Sequence, residues 1–340
     1  MTIHKMKQER RMKSTGFATI GTSKITQKFL SAAKECQDFK LVAVYSRDIK
    51  KAEQFAREQG AEKFYDSLDA LVSDKDVEAV YVASPNHMHY EHVMKLLKAG
   101  KHVLCEKAIA SNHAEAEEMF RTAQEQGVIL LEAMRTVFHP GMDAIRENLP
   151  KLGAIRKAAF SYCQYSSRYD SFKEGQEHNI FSRECSAGAL MDIGVYCVHT
   201  LLYLLGMPEK ISGFAVMLRS GVDGAGDILA KYQDKIAEVS YSKITDSGLP
   251  NEIQGENGML LFQGTNDCPE NVRIVYRDGT EEVLYHREPL NDMKYELDYF
   301  IKMIRGEENA ESHTERSLNA MKLMDEMRRQ CGITFPADEG

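Results

Sequence analysis

The sequence has no C-x-x-C pair, no basic surplus, no internal repeat and no long apolar run free of charge. Each absence excludes something. Seven cysteines, at 36, 105, 163, 185, 197, 268 and 331, are scattered and odd in number, which rules out a disulfide framework and suits free thiols in a reducing cytoplasm. A formal net charge of -8 argues against nucleic acid or an anionic membrane surface as partner. The most apolar stretch, Gly188 to Pro208, carries Asp192 and His199. A charge near the centre of a spanning helix is costly, so a buried helix of a soluble protein is expected there. No signal-peptide core precedes the first strand pattern. Residues 1–15 are basic and polar without apolar periodicity and are expected to form a flexible arm, with Met12 as an alternative start.

What is present suffices for two cores. The chain has 340 residues, 43% hydrophobic and 28% charged, in the range of soluble globular proteins of about two domains. Residues 16–135 alternate short apolar runs with helical patterns, the mark of stacked βαβ units on a parallel sheet. The expected strands are Phe17–Ile20, Leu41–Tyr45, Lys63–Tyr65, Val77–Val82, His102–Cys105 and Val128–Leu131. Residues 136–340 differ. A helix at Met142–Leu149 leads to strand patterns at Ala158–Tyr165, Lys210–Leu218, Ile228–Tyr232 and Ile236–Tyr241. Helical patterns cover Gly188–Leu205, Asp292–Ile304 and Glu315–Gln330. The expected architecture is an α/β Rossmann domain with a doubly wound, mostly parallel sheet, then an α+β domain with a large, mostly antiparallel sheet. The terminal helices are free to return to the first domain.

Gly21-Thr22-Ser23-Lys24-Ile25-Thr26 stands where a dinucleotide fingerprint reads G-x-G-x-x-G. Only the first glycine is kept, so the letters alone do not separate a phosphate loop from a plain connection. The position, after the first strand and heading an amphipathic helix, suits a pyrophosphate. Gly21, Thr22, Ser23 and Ile25 are therefore candidate cofactor contacts. At the end of the second strand, an NAD-selective fold places Asp or Glu on the ribose 2′-hydroxyl. This chain has Ser46-Arg47, and a hydroxyl beside a guanidinium suits a 2′-phosphate. NADP is favoured and NAD is kept as the alternative, because Asp48 is either a ribose acceptor or a helix N-cap.

Two further groups point to chemistry. Glu106 and Lys107 follow the apolar strand His102–Cys105, and ligands of open α/β sheets bind beyond the carboxyl ends of strands. In the helix Gly188–Leu205, Met191, Val195, Val198, Leu202 and Leu205 form a core face. Asp192, Tyr196, His199 and Tyr203 form a parallel stripe expected to line a cleft, although a polar border on a packed helix explains it equally well.

Ser84-Pro-Asn-His-Met-His89, Ala99-Gly-Lys-His-Val-Leu-Cys-Glu-Lys107 and Gly188-Ala-Leu-Met-Asp-Ile-Gly-Val-Tyr196 together resemble the glucose-fructose oxidoreductase/inositol dehydrogenase (Gfo/Idh/MocA) family. The likeness runs from Gly16 onward, and the Asp-Ile-Gly-Val-Tyr stretch is most similar to the dihydrodiol dehydrogenase branch. The resemblance implies a nicotinamide-dependent oxidoreductase acting on sugars, cyclic polyols or diols. It implies Lys107 as catalytic lysine, Tyr196 as acid/base and Asp192 as their partner, with Ser84, Asn86, His89 and Glu106 lining the nicotinamide end. Three positions depart from the family pattern: Ala108 in place of proline, Ser23 in place of the second glycine, and Ser186-Ala187-Gly188 in place of a glycine-rich triplet.

Oxidising a secondary alcohol requires taking the proton from oxygen while hydride leaves carbon. Tyr196 is expected to exchange that proton, Lys107 to bind the same oxygen, Asp192 to orient one of them, and His199 to relay protons to solvent or serve as a core residue. Tyr165, Arg168 and Arg183 precede the helix and are candidate substrate contacts or plain surface residues. Two rival readings stand beside this one. Zinc on His87, His89 and His92 lacks an acidic ligand nearby, so no metal is expected. A non-catalytic NADP sensor of the same fold would have no need of Lys107 and Tyr196. An open sheet tends to bury its free face, which favours a homodimer or higher homo-oligomer over a monomer.

Overall fold

The computed structural model describes residues 14–264, 269–287 and 290–339. Residues 1–13 of the expected arm, with Met12, and Cys268 lie outside the described residues; Thr15 already opens the first strand. Two compact units emerge. One holds the chain up to Ala110 together with Ala114–Ala133 and Asn291–Glu315, and the other holds Ser111–His113, Met134–Leu290 and Arg316 onward.

The first unit is built on strands β1 (Thr15–Ile20), β2 (Phe39–Tyr45), β3 (Lys63–Tyr65), β4 (Ala79–Val82), β5 (His102–Glu106) and β6 (Leu130–Ala133). They lie in the order β3-β2-β1-β4-β5-β6, every neighbour parallel. β1 and β4 are buried on both faces and carry no charged residue, as a covered parallel sheet requires. The chain order reverses between β1 and β4, which opens a crevice at the carboxyl ends of those strands. Helices α1 (Lys24–Ala33), α2 (Ile49–Gln59), α3 (Leu68–Ser73), α4 (His89–Lys98) and α5 (His113–Gln126) connect or follow them. α3 is a single short turn pair without a periodic apolar face, and so left no clear mark in the sequence. Asp48 caps α2 by accepting from Lys50 N at 3.0 Å, and Gly60 ends it at φ +80°.

The second unit contains α6 (Pro140–Asn148), the short α7 (Tyr169–Lys173) and α8 (Val195–Leu205). Its sheet comprises β7 (Ile155–Cys163), β8 (Lys210–Met217), β9 (Asp223–Lys231), β10 (Ile236–Ser242), β11 (Asn251–Gly255), β12 (Gly258–Gln263), β13 (Glu270–Tyr276) and β14 (Glu281–Tyr285). The order is β14-β13-β12-β11-β7-β10-β9-β8, antiparallel throughout except for the parallel β7–β10 pair. Alternation decides the faces. Phe160, Ile228, Val239, Ile253, Leu260 and Ile274 are buried on one side, where α8 packs on β7 and β10. The other side keeps Phe214, Val216, Leu229, Ile236, Met259 and Val283 exposed.

Helix α9 (Met293–Ile304) belongs to the first unit, where Phe300 meets Phe17 edge-on and Arg305 pairs with Asp38 at 2.8 Å. Helix α10 (Glu311–Cys331) is mostly in the second, with Gly213 leaving room for Met327: a Cβ there would stand 2.2 Å from its sulfur. The apolar segment Arg183–Leu205 is the one stretch among the described residues long and apolar enough to cross a membrane, and 83% of its most apolar window is buried inside the protein.

Candidate active site

At the carboxyl ends of β1, β2 and β4, a pocket of about 300 Å³ is lined by Gly21, Thr22, Ser23, Ser46, Arg47 and Ser84, together with Lys51 and His92. Gly21 has φ +106°, and a Cβ on it would stand 2.7 Å from the Ala83 carbonyl, so this turn admits only glycine. Ser23 is the residue before α1, and its side chain makes no bond to the helix N-terminus. The first amides of α1 point their partial positive charge at this loop. Ile25 and Asn86 are not among the lining residues.

The ribose end is more sharply defined than the sequence left it. Asp48 turns its carboxylate onto Lys50 N and Lys51 N, so the capping role takes it and leaves Ser46, Arg47 and Lys51 facing the pocket. Lys51 was missed in the sequence; its place in the first turn of α2, four residues past Arg47, is the signal that could have found it. The residues fit a dinucleotide: a glycine turn for close backbone approach, a helix N-terminus, and two cations where a 2′-phosphate would sit.

His89 does not line the pocket. The ring is fully buried, with Nδ1 2.9 Å from the Ala108 carbonyl and Nε2 2.8 Å from the Ser84 carbonyl. Both partners are acceptors, and burial pulls the imidazole pKa down to about 4, so a neutral ring donates to one of them. The expectation that it contacts the nicotinamide is therefore corrected: it ties the end of β4 to the turn after Lys107 from behind. Beside it, His92 Nδ1 meets Ser84 Oγ at 3.0 Å, and burial lowers its pKa. Glu106, expected at the cofactor side, is 8% exposed and accepts from the Tyr81 hydroxyl. Glu132 on β6 accepts from Ile109 N at 3.0 Å. Lys107, half-buried, thus leaves a strand end pinned by Tyr81, His89 and Glu132; the Lys107–Ala108 peptide is cis.

In the second unit, the helix expected at Gly188–Leu205 is not one regular helix. Leu190–Gly194 forms a π-turn, and α8 begins only at Val195. A π-turn widens the circuit and so rotates Asp192 relative to the residues beyond it. The stripe drawn from 3.6-residue spacing therefore fails over its length. Tyr196 is 8% exposed and meets Tyr162 edge-on, at 5.9 Å between ring centres. His199 is 1% exposed, which corrects its role as a relay to solvent. Tyr203 donates to Asp143 at 2.7 Å under the guanidinium of Arg146, and burial raises its pKa; it is packing. At the other end of the stripe Asp192 keeps 30% side-chain exposure.

Two residues absent from the sequence reading hold that end. Lys243, just past β10, forms an ion pair with Asp192. Asp223, at the start of β9, is buried and accepts from Leu190 N at 2.7 Å, capping the π-turn from a separate strand. Neither lies near the helix in sequence, so only the sheet register brings them there. Gly188 (φ +123°) lets the chain pass Asp223: a Cβ would stand 2.2 Å from its Oδ1. Two of the three substrate candidates are engaged elsewhere and the third is on the surface. Tyr165 donates to Asp170 at 2.7 Å, Arg168 is exposed, and Arg183 bonds the Thr334 carbonyl at 2.8 Å and the Glu339 carboxylate.

Comparison with known proteins agrees with this geometry. The model of an oxidoreductase family with an NAD-binding Rossmann fold (GFO_IDH_MocA) matches residues 15–134, and that of the GFO/IDH/MocA C-terminal domain matches residues 149–261. The chain is 43% identical over 325 residues to the scyllo-inositol 2-dehydrogenase (NADP(+)) IolU of Bacillus subtilis (strain 168), covering 95% of this chain and 99% of that protein. It is 30% identical over 312 residues to the trans-1,2-dihydrobenzene-1,2-diol dehydrogenase of Mus musculus, covering 89% and 92%. KijD10, a 3-ketoreductase from Actinomadura kijaniata solved with NADP and TDP-benzene, superposes with a TM-score of 0.84 at 25% identity, over 94% of this chain and 98% of that one.

Proposed function

The chain belongs to the GFO/IDH/MocA oxidoreductase family and is an NAD(P)-dependent oxidoreductase, and we propose that it transfers hydride between NADP and a secondary alcohol of a cyclic polyol, a sugar or a related diol. The observation that carries the cofactor choice is the pocket end where Ser46, Arg47 and Lys51 face inward while Asp48 is spent on its helix. A 2′-phosphate gains from both cations there, and a bare ribose hydroxyl finds no carboxylate among the residues lining the pocket. The polyol reading leans on the inositol dehydrogenase named above, which is similar over nearly the whole chain.

When bound, the nicotinamide supplies the hydride acceptor. The rest falls to the protein. Tyr196 takes the hydroxyl proton as the C–H bond of the same carbon breaks, and returns it in the reverse direction. Lys107 supplies a fixed positive charge that favours the alkoxide over the alcohol. Asp192, paired with Lys243, accepts from a substrate hydroxyl. Tyr196→Phe and Lys107→Met should each lower kcat at least ~100-fold while NADPH binding, read by fluorescence, stays within about twofold. Full turnover in both variants would end the assignment.

The exposed apolar residues Phe214, Val216, Leu229 and Ile236 on adjacent strands β8, β9 and β10 favour a homodimer through this face of the sheet. Light scattering returning the mass of one chain would remove that reading. The six described cysteines form no disulfide with one another, which is consistent with a cytoplasmic enzyme.

A further inference from the structure

Lys243 is the residue whose surroundings ask most of a ligand. Its backbone is fixed on both sides: its N–H donates to the Gly224 carbonyl at 2.8 Å, and its own carbonyl accepts from Ser166 N at 2.9 Å. Its side chain is 10% exposed, and among the described residues the ammonium has one partner, Asp192, which keeps 30% exposure. An ammonium carries three donors. Two of them remain for something outside the protein, in a place where leaving a donor without an acceptor is costly.

The chemistry of that acceptor follows from charge. Lys243 is already balanced by Asp192, so a carboxylate or phosphate brought here would face the Asp192 charge as well as the lysine. A hydroxyl does not. Its oxygen accepts from the ammonium, and its proton is available to a carboxylate. The ion pair is thus a donor set beside an acceptor, matched to neutral polyhydroxy compounds.

We propose that Lys243 is a substrate-binding residue, donating to a ring hydroxyl close to the carbon that is oxidised, and that with Asp192 it selects uncharged polyols over sugar acids and sugar phosphates. This rests on the reading of Tyr196, one turn beyond Asp192, as the proton-exchanging group. Lys243 takes no part in the proton or hydride transfer itself.

The test is steady-state kinetics of the full-length enzyme with NADP and scyllo-inositol, comparing wild type with Lys243→Met and Lys243→Gln. Loss of a charged hydrogen bond to substrate predicts a KM for scyllo-inositol raised about 10- to 100-fold in the methionine variant, with kcat changed less than about threefold. The glutamine variant, which keeps a neutral donor and fills the same space, should fall between. The dissociation constant of NADPH, read by fluorescence, should be unchanged in both. Asp192→Asn with Lys243 kept, which leaves the ammonium unbalanced, should shift relative kcat/KM towards glucuronate and inositol monophosphate over scyllo-inositol, and neither Lys243 variant should do so. An unchanged KM in a folded glutamine variant, or a loss confined to kcat, would overturn the assignment and leave the oxidoreductase reading intact. No polyol turnover by the wild-type enzyme would instead remove the polyol reading, and this inference with it.

Discussion

Replacing Gly188 by alanine tests how the segment bearing Asp192 and Tyr196 is held. The glycine has φ +123°, and an added Cβ would lie 2.2 Å from Asp223 Oδ1 and 3.2 Å from the Val222 Cβ. The carboxylate has little room to retreat, because Asp223 is 1% exposed and accepts from Leu190 N at 2.7 Å. A side chain at such a φ costs about 1–3 kcal/mol in backbone strain. Forcing the carboxylate off Leu190 leaves a buried donor and acceptor unmatched, about 1–3 kcal/mol more. A loss of about 2–6 kcal/mol is expected, a large part of the roughly 5–15 kcal/mol that holds a domain folded. Gly221→Ala is the control: its φ is +78°, but the nearest atom to an added Cβ is Arg183 Cδ at 3.9 Å. It bears the backbone cost alone, about 1–2 kcal/mol. Urea unfolding followed by circular dichroism measures both variants. Equal losses would refute the claim that Asp223 and Gly188 are fitted to each other.

Two further outcomes follow from the same geometry. Arg47→Ala should raise the KM for NADPH about 10- to 100-fold and leave that for NADH nearly unchanged, since a charge-assisted phosphate contact is lost; matched losses for both cofactors would place Arg47 outside the 2′-phosphate site. Burial raises the Asp223 pKa from 3.8 to about 6, so the folded state holds this proton more tightly than the unfolded chain. The stability this contributes is full below the unfolded value and is lost as pH rises through the folded one, about 3 kcal/mol in all. The melting temperature of the wild type should therefore fall relative to Asp223→Asn between about pH 4 and about pH 7, and parallel profiles would contradict the buried carboxyl.

The first unit was largely legible because its information is local. Short, mostly apolar runs mark the strands of the parallel sheet, and Gly21, Ser46 and Arg47 sit where the order reversal opens the crevice. The second unit was legible in class and not in detail. Its strands β11 to β14 are short and half-buried, and their pairing depends on partners far along the chain. The stripe on α8 misled because periodicity assumes a constant turn, and the π-turn at Leu190–Gly194 breaks it between Asp192 and Tyr196. Lys243 and Asp223 stayed hidden for another reason. Each is an ordinary residue at a strand terminus until the β9–β10 register sets it against the helix start.

The three departures from the family pattern show how a local rule can be replaced by contacts. Proline after a Glu-Lys pair would fix the turn covalently. With Ala108 the turn is instead held by its neighbours, its carbonyl against His89 and the next amide on Glu132. In the triplet before the π-turn, Ser186 adopts a left-handed conformation (φ +49°) that glycine would take at no cost, and its hydroxyl bonds Ser111 at 2.9 Å in a buried position. The entry to the π-turn therefore depends on a side-chain bond as well as on Gly188. Ser23 differs from both, since it faces the pocket with no bond of its own to the helix start. A serine hydroxyl can donate to a phosphate oxygen, which a glycine side chain cannot. Two of the departures thus move a constraint from backbone to side chain, and the third puts a hydroxyl on the pocket wall where the family pattern has only space.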